Sequence, residues 1–389
     1  MIPYTDFLYF GLSLYALIPA IVAGLLRRLW RTWAVIATAF MLAIQYLGLT
    51  AEITWPLNGL VLVLGYALSQ LLFAALFLAV RRRGANRIAF YAAIFLGSLP
   101  LLAAKYASFS GLEYPLVFLG LSYVTFRSLD VLIGIQDGVI KQLDPVRYLL
   151  FLLFFPTISS GPIDRYRRFS EDWERPRTLE QVLLDLDGGV HRIFTGFLYK
   201  FVLASLIKQL WMDPISQVSG VLPVVSYMYA YTFYLFFDFA GYSAFAVGFS
   251  YLLGIRTPEN FDRPFLSRDI RDFWNRWHIS LSSWFRDHIY NRFIFAALKG
   301  KWFRSSQAAS TVGYLLTMGL MGIWHGTAPN YLVYGVYHGA LLAATAAYDR
   351  AHKGNKLLND PSWVWRAGSI LITFHLVALG LLIFSGHLF

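Results

Sequence analysis

Cysteine is absent from all 389 residues of the chain. This absence excludes disulfide bonds, thiolate metal sites and a cysteine nucleophile, so acid–base or covalent chemistry must rest on histidine, serine, tyrosine or a carboxylate. Charged residues are also scarce, at 14%, whereas 57% of residues are hydrophobic and 18% are aromatic. So little polar surface cannot coat soluble domains of this size, and a lipid bilayer must cover the rest. The composition therefore predicts an all-α integral membrane protein.

Apolar runs of about 20 residues, the length that crosses a hydrocarbon core of about 30 Å, recur along the whole chain. Before residue 135 five such runs with short connectors predict a scaffold of helices. Four of these runs are Phe7–Leu26, Trp33–Leu49, Leu57–Val80 and Ile88–Ala104. We find no internal repeat and no linker, so the sequence predicts one polytopic domain over residues 1–389, with scaffold helices over residues 1–135.

The net charge of +11 would suggest nucleic-acid binding in a soluble domain, but in a membrane protein the position of Lys and Arg carries the information. Basic residues cluster in the connectors at Arg27–Arg31, Arg81–Arg87 and Arg165–Arg168. The positive-inside rule places these connectors in the cytoplasm and the N-terminus outside the cell. We therefore expect the lipid bilayer, and no nucleic acid, as a partner of this basic chain.

Two apolar segments in the middle of the chain are interrupted. Leu149–Phe155 is followed by Pro156 and then by Gly161-Pro162, which predicts a re-entrant or broken helix whose freed backbone groups are covered by protein or water. The second segment, Val221–Leu253, contains Asp238 and Gly241. One long kinked crossing and two short ones both fit this segment.

Residues 269–295 carry a polar stripe. On a helix, the polar side chains recur at three- and four-residue steps and share one face, opposite Trp and aliphatic residues. An interfacial helix with its stripe in water is one interpretation. The aliphatic residues that follow favour a second one, in which the helix dips inward and His278 faces a hydrated cavity. The stripe consists of Arg271, Asn275, His278, Ser282 and Arg286.

His325 ends an apolar run among glycines, at a depth where an ionisable side chain is costly and marks a functional position. A neutral imidazole is also the best general base near neutral pH. The alternative is a core histidine that donates one hydrogen bond between helices. His338 has the same ambiguity in a weaker context, and we interpret it as structural.

Three further charged residues lie in apolar surroundings. Arg127 and Asp130 share a helical face, and Asp238 lies between phenylalanines. We interpret all three as structural pairs, although they could serve as coupling residues of a transporter or flippase. That function predicts inverted repeats, which the sequence lacks. Walker A, HExxH and G-x-S-x-G motifs are missing as well, so no metal site is expected.

Several of these segments together resemble the membrane-bound O-acyltransferase family. The resemblance rests on four strings in order: Phe155–Arg165, Phe236–Ser243, Phe273–Leu281 and Trp324–Gly326. Within the family, Gly161–Phe169, Arg256–Phe261 and Trp274–His278 are most similar to the branch that passes D-alanine onto teichoic acid in Gram-positive bacteria. The branch that O-acetylates alginate looks similar around Phe237–Ser243 and Arg276–Ser282.

The resemblance implies a ring of about 11 transmembrane helices, with re-entrant and amphipathic helices, around a central tunnel. It implies a catalytic core over residues 149–339 and C-terminal helices over residues 340–389. His325 matches the catalytic histidine of the family, and His278 matches its second site residue. Asn275, Ser282 and Arg286 would then line the path of the acyl donor. No cofactor would be bound by the chain itself.

The donor implied by the resemblance is D-alanyl-phosphopantetheine on a small acidic carrier protein of the DltC type in the cytoplasm. The acceptor is lipoteichoic acid at the outer face, with a small membrane peptide as an acyl relay. A basic, aromatic segment is the expected docking site for the carrier, because charge would steer the encounter and apolar side chains would hold it. Polysaccharide O-acetylation is the alternative activity, with the same two histidines. We expect Ile294 and Phe295 to be exposed there. The docking residues are Arg292, Ile294, Phe295, Lys299 and Lys301.

Overall fold

A computed structural model of the protein describes residues 2–47, 59–84, 86–112, 117–159, 161–352 and 362–389. The sequence expectations at Ser160 and at residues 48–58 lie outside these ranges. Within them the chain is helical, apart from one isolated β-bridge between Phe261 and Trp277. The first helices are α1 (Phe7–Leu25), α2 (Trp30–Leu47), α3 (Gly59–Arg83), α4 (Arg87–Ser110), α5 (Leu121–Gln136), α6 (Pro145–Leu153), α7 (Tyr166–Glu174) and α8 (Leu179–Phe197).

The chain continues from α8 without a break through π-helical turns at Leu198–Ala204 and Lys208–Met212, which alternate with the short helices α9 (Ser205–Ile207) and α10 (Asp213–Ile215). The remaining helices are α11 (Val221–Leu252), α12 (Ile270–Arg276), α13 (Ile279–Phe285), α14 (Asn291–Lys299), α15 (Ser306–His325), α16 (Pro329–Ala351) and α17 (Trp363–Ser385).

Six helices in the described ranges are long and apolar enough to cross a membrane. Many of their large hydrophobic side chains are exposed, as expected for surfaces that face lipid. The multi-pass membrane architecture is therefore confirmed, whereas about eleven spans and a central tunnel stay predictions. The six are α1, α3, α4, the run Leu179–Ile215, α11 and α17. Of the two possibilities for Val221–Leu253, the single long helix is correct, because Asp238 and Gly241 lie within α11 without ending it.

The chain packs as two compact units. Unit 1 comprises Met1–Phe197 and Gly241–Pro258, and unit 2 comprises Leu198–Ala240 and Glu259–Phe389. The expectation of a single domain with a core over residues 149–339 stays a prediction.

Unit 1 contains the interrupted segment that follows α6. Helix α6 has nine residues and is succeeded by a 3-10 turn at Phe155–Thr157, so the segment is broken, as expected. The fully buried Arg127 of α5 holds this break. Its guanidinium donates to the carbonyl oxygens of Phe151 at 3.1 Å, Leu152 at 3.2 Å and Thr157 at 2.6 Å. These bonds satisfy backbone groups that the broken helix frees.

The two carboxylates that a transporter could have used are bound in ion pairs. Asp130 accepts a hydrogen bond from Arg165 at 2.7 Å, and Asp238 accepts one from Lys200 at 2.5 Å. Arg127 bonds backbone oxygens instead of forming a simple pair with Asp130. The structural interpretation of Arg127, Asp130 and Asp238 therefore agrees with these contacts.

In unit 2 the helices α15 and α16 pack at very short range. A Cβ atom added at Gly322 would overlap the carbonyl oxygen of Tyr331, and one added at Gly335 would overlap the carbonyl oxygen of Met318. Only glycine at both positions permits this approach of the two backbones. The tight pair places the C-terminal residue of α15, His325, against the first turns of α16.

Candidate functional site

The polar stripe does not lie on one continuous helix, and that expectation is wrong. Helix α12 ends at Arg276 and α13 begins at Ile279, because His278 adopts the left-handed conformation with φ 44° and ψ 50°. Few residues other than glycine occupy this region, although histidine is among the more tolerated ones. Beyond α13 the chain continues through a π-helical turn at Arg286–Tyr290 into α14.

The break turns the His278 side chain into the interior of unit 2. His278 is only 4% exposed, and its ring packs edge to face against Phe239 of α11, with ring centroids 4.7 Å apart. Its second aromatic neighbour is Trp324, at 6.4 Å. Within the described part of the chain, Nε2 of His278 has no hydrogen-bond partner. A buried nitrogen of this kind is costly in a structural residue and useful in a reactive one.

Burial lowers the pKa of His278 well below its usual range, and the charge that His325 would carry lowers it further. His278 lies outside the six membrane-spanning helices. Its imidazole is therefore neutral at physiological pH, and one of its ring nitrogens can donate a hydrogen bond while the other accepts one.

His325 lies at the end of α15, half-buried in a group of aromatic rings. Its ring is 4.6 Å from Trp324 and 5.0 Å from Phe384 of α17, measured between centroids. Tyr331 and Tyr334 of α16 lie at 6.5 and 6.4 Å. The ring of Trp324 lies near both histidines, so the structure brings His278 and His325 into one neighbourhood.

The three residues expected on the donor path line one cleft in unit 2. Asn275, Ser282 and Arg286 border about 770 Å³ of empty space, part of it open to the outside. Arg286 donates to the side-chain oxygen of Asn275 at 3.1 Å, so residues of two successive helices meet across the break. Arg271 is a fourth polar lining residue. The remaining wall is largely apolar, with Trp274, Phe285, Met318, Met321 and Leu342.

The stripe is thus divided between two places. Arg271, Asn275, Ser282 and Arg286 line the cleft, whereas His278 is not among its lining residues. Trp274 borders the cleft and lies four residues before His278 in the chain. Its indole Nε1 is buried and has no hydrogen-bond partner in the described ranges.

The expected docking residues lie on α14 and the turn that follows it. Phe295 is 71% exposed, and Lys299 and Lys301 are exposed beside it. The expectation that Ile294 is exposed is wrong. This side chain is half-buried and points at Gly313 of α15, where an added Cβ would lie 3.1 Å from it. Arg292 is half-buried too.

Two exposed apolar side chains near these residues were missed in the sequence. Leu298 is 52% exposed and Trp302 is 60% exposed. With Phe295 they extend the apolar part of the surface that carries Lys299 and Lys301. We use the name α14 surface for Phe295, Leu298, Lys299, Lys301 and Trp302.

His338 lies in the core of unit 2. It is fully buried, 4.7 Å from Tyr334, 5.2 Å from Trp274 and 5.3 Å from Tyr337 between ring centroids. Both of its ring nitrogens also have no hydrogen-bond partner in the described ranges, so its interpretation as a structural residue stays a prediction. In the ranges that the structure describes, no group of three or more His, Asp or Glu side chains could hold a metal ion.

Phe239 and Asn260 contact the His278 segment and were not assigned a role in the sequence. Both lie in sequence strings that carry the family resemblance, and this location was the feature of the sequence that could have indicated a role for them. Asn260 is 1% exposed and bonds the residues that follow His278. Contacts between such distant segments depend on the tertiary fold, so helical periodicity could not reveal them.

The sequence profile of the membrane-bound O-acyltransferase family matches residues 119–384. A teichoic acid D-alanyltransferase of Bacillus subtilis (strain 168) is 40% identical over 399 residues, which cover 100% of this chain and 99% of the relative. A protein of the same name from Lacticaseibacillus rhamnosus is 40% identical and covers 99% of this chain and 97% of its own length.

Relatives named for another activity are similar over less of the chain. A probable alginate O-acetylase, AlgI, of Pseudomonas aeruginosa is 32% identical over 280 residues. The match covers 71% of this chain and 50% of that relative. The D-alanyltransferases thus match end to end, whereas the alginate protein shares about half of its length.

Proposed function

The chain belongs to the membrane-bound O-acyltransferase family, and we propose that it is the acyltransferase that transfers D-alanine to teichoic acid. Relatives named for this activity match the whole chain at 37–40% identity. The structural observation that carries the proposal is the neighbourhood of His278 and His325 around Trp324. Two imidazoles, one of them held neutral by burial, suit a reaction that needs a base and a hydrogen-bond donor.

His325 is the general base in this proposal. It accepts the proton of the acceptor hydroxyl while the hydroxyl oxygen attacks the carbonyl carbon of the D-alanyl thioester. The new C–O bond forms, the C–S bond breaks, and the departing sulfur takes the proton from His325. A thioester is reactive enough for this exchange without a metal. The glycines that bring α15 and α16 together hold His325 on a rigid support.

His278 stabilises the negative charge that develops on the carbonyl oxygen. Its pKa is lowered by burial, so the ring is neutral and can present an N–H to that oxygen without carrying a charge of its own. Nε2 has no partner among the described residues and is therefore available for such a bond. The left-handed turn at His278 directs the ring inward, which a continuous helix would not do.

The cleft bordered by Asn275, Ser282 and Arg286 receives the phosphopantetheine arm of the donor. Its polar residues can bond the amides and the phosphate of the arm, and its apolar wall can pack on the methylene groups. The arm is brought by the carrier protein, so the chain needs no resident cofactor.

The α14 surface is the proposed dock for the acidic carrier. Its exposed phenylalanine, leucine and tryptophan supply contact area, and Lys299 and Lys301 supply positive charge. Reversal of both lysines to glutamate should weaken carrier binding by roughly tenfold. This loss should become larger as the salt concentration falls. The matched control reverses Arg83 and Arg87, which are also exposed, and changes the net charge equally. Unchanged carrier binding in the lysine variant would contradict the proposal that the α14 surface binds the carrier.

The positive-inside pattern supports a multi-pass protein of the Gram-positive cell membrane, with its N-terminus outside. The thioester is then taken from the cytoplasm, and lipoteichoic acid receives D-alanine at the outer face. A small membrane peptide would carry the acyl group from the active site to lipoteichoic acid where the acceptor hydroxyl does not itself reach the thioester.

The decisive experiment offers the purified protein D-alanyl carrier and acetyl carrier in parallel. The proposal predicts loss of the D-alanyl thioester and formation of a D-alanyl ester on lipoteichoic acid or on a relay peptide, at a rate at least tenfold above that for acetyl. Preference for acetyl would support the alternative, polysaccharide O-acetylation, which the similarity to the alginate proteins favours. Turnover of neither donor would reject both functions.

A further inference from the structure

The left-handed turn at His278 needs support from the surrounding chain. An L-residue with a φ of 44° is strained by roughly 1–3 kcal/mol, and it persists only where neighbouring contacts hold it. The side chain packs on Phe239 but forms no hydrogen bond through Nε2 in the described ranges. Hydrogen-bonded support for the turn must therefore come from the residues on either side.

Asn260 bonds the residues that follow His278. The backbone oxygen of Asn260 accepts a hydrogen bond from the N–H of Ile279 at 3.0 Å. Its side-chain oxygen accepts two more from Ser280, one from the hydroxyl at 2.6 Å and one from the N–H at 3.3 Å. Asn260 is 1% exposed and Ser280 is 3% exposed, so water does not compete for these bonds.

The same short segment also binds the residues that precede His278. Phe261 forms the isolated β-bridge with Trp277, and the N–H of Asp262 donates to the carbonyl oxygen of Arg276 at 3.0 Å. His278 is thus the one residue between two bonded stretches. Two of the N–H groups at the start of α13, those of Ile279 and Ser280, are satisfied by Asn260 in place of a preceding helical turn.

Packing on the ring involves this segment as well. Phe261 lies 5.1 Å from Phe239 between ring centroids, edge to face, and Phe239 in turn packs on His278 at 4.7 Å. A shift of residues 260–262 would therefore move both the backbone that carries the imidazole and the ring that packs on it.

We propose that Asn260 is a positioning residue for the transfer reaction, which acts by fixing the left-handed turn that aims His278 at the reacting carbonyl. The inference rests on the role of His278 in the proposed function. It assigns a role to the Arg256–Phe261 string, which carries no group that contacts the donor cleft. A misplacement of His278 by about 1 Å would cost up to about 100-fold in rate.

Two substitutions of different severity test this role, with one matched control. Asn260→Ala removes the side-chain acceptor, and Ser280→Ala removes one of its donors while leaving the asparagine. The control is Ser267→Ala, because Ser267 is equally buried and donates to the carbonyl oxygen of Pro264 at 2.6 Å, away from the His278 turn. Each variant is made in the full chain and in the His278→Ala background, and transfer of radiolabelled D-alanine from the carrier is followed.

Positioning predicts a loss in kcat of about 10- to 100-fold for Asn260→Ala and about 3- to 10-fold for Ser280→Ala. The KM for the carrier should stay within about twofold, because neither residue lines the donor cleft. In the His278→Ala background the same substitutions should lower the residual rate by less than about twofold, since they act through a side chain that is already gone. Ser267→Ala should match the wild type.

Multiplicative losses in the His278→Ala background would overturn the positioning role, and so would an unchanged kcat in both variants. If Asn260→Ala does not accumulate as folded protein, Ser280→Ala decides by the same criteria. The single variant His278→Ala separates this inference from the proposed function. Wild-type transfer in that variant would reject the role of His278 and its positioning together, whereas a loss there with silent Asn260 and Ser280 variants rejects the positioning alone.

Discussion

Two interruptions of helical structure in this protein use their polar groups in opposite ways. In unit 1 the break after α6 is bound by Arg127, whose terminal nitrogens donate to Phe151, Leu152 and Thr157. In unit 2 the break at His278 is bound by backbone and Asn260 contacts, while the imidazole keeps Nε2 without a partner in the described ranges. A break whose ionisable group is used for bonding is structural. We propose that the second break, which leaves an imidazole beside a second histidine, is a site for chemistry.

His325→Ala should have the largest effect on the chemical side of this comparison. Loss of the general base is expected to lower kcat by about 10²- to 10⁴-fold, with little change in thermal stability because the side chain is only half-buried. Transfer is measured per folded molecule after gel filtration in detergent. The exposed His191 of unit 1 provides the control, and His191→Ala should transfer normally. Normal transfer by His325→Ala would show that His325 is not the general base.

Arg127→Leu should have the largest effect on the structural side. Several buried carbonyl oxygens lose a charged donor, which is expected to cost on the order of 3–5 kcal/mol of stability. Thermal unfolding in detergent should show a lowered Tm, while the molecules that remain folded keep their rate of transfer. Arg167→Leu is the comparison variant, because Arg167 is exposed and its pair with Glu171 contributes little. Equal Tm values for the two variants would refute the role of Arg127.

Arg286→Gln should have a smaller effect, confined to donor binding. Arg286 is half-exposed in the cleft, and the loss of its charge is expected to raise the KM for the carrier about fivefold, with kcat nearly unchanged. Arg268→Gln is the matched control, since Arg268 belongs to the same unit, is exposed and does not line the cleft. A fall in kcat without a change in KM would place Arg286 at the chemical step.

The smallest expected effect is a pH dependence of stability. The folded state lowers the pKa of His278 below the unfolded value of about 6.5, so protons bind preferentially to the unfolded chain. The free energy of unfolding that the neutral His278 contributes is fully present above about pH 6.5. It is lost as the pH falls below that value, by at most about 1.4 kcal/mol per pH unit. The Tm of the wild type should therefore fall further between pH 7.5 and 5.5 than the Tm of His278→Gln. Parallel losses would contradict a buried, neutral His278.

The sequence predicted the membrane class from hydropathy, and helical spacing grouped the residues on the polar side of the cleft. The roles of the two histidines, which come from family strings, stay predictions. Asn275, Ser282 and Arg286 meet in one cleft even though the helix between them is broken. The break itself was not predictable, since a histidine in the left-handed region is stabilised by Asn260, 20 residues from its partner Ser280. The burial of Ile294 was missed for a similar reason, because Gly313 receives it only in the folded protein.

The most direct test of the distinction between the two breaks is the rate of D-alanyl transfer per folded molecule in Arg127→Leu and His278→Gln, measured side by side with D-alanyl carrier as donor. The account predicts a rate close to the wild type for the arginine variant, despite its lower Tm, and a rate about 100-fold lower for the histidine variant with its Tm retained. A normal rate in His278→Gln, with transfer lost in folded Arg127→Leu, would contradict it.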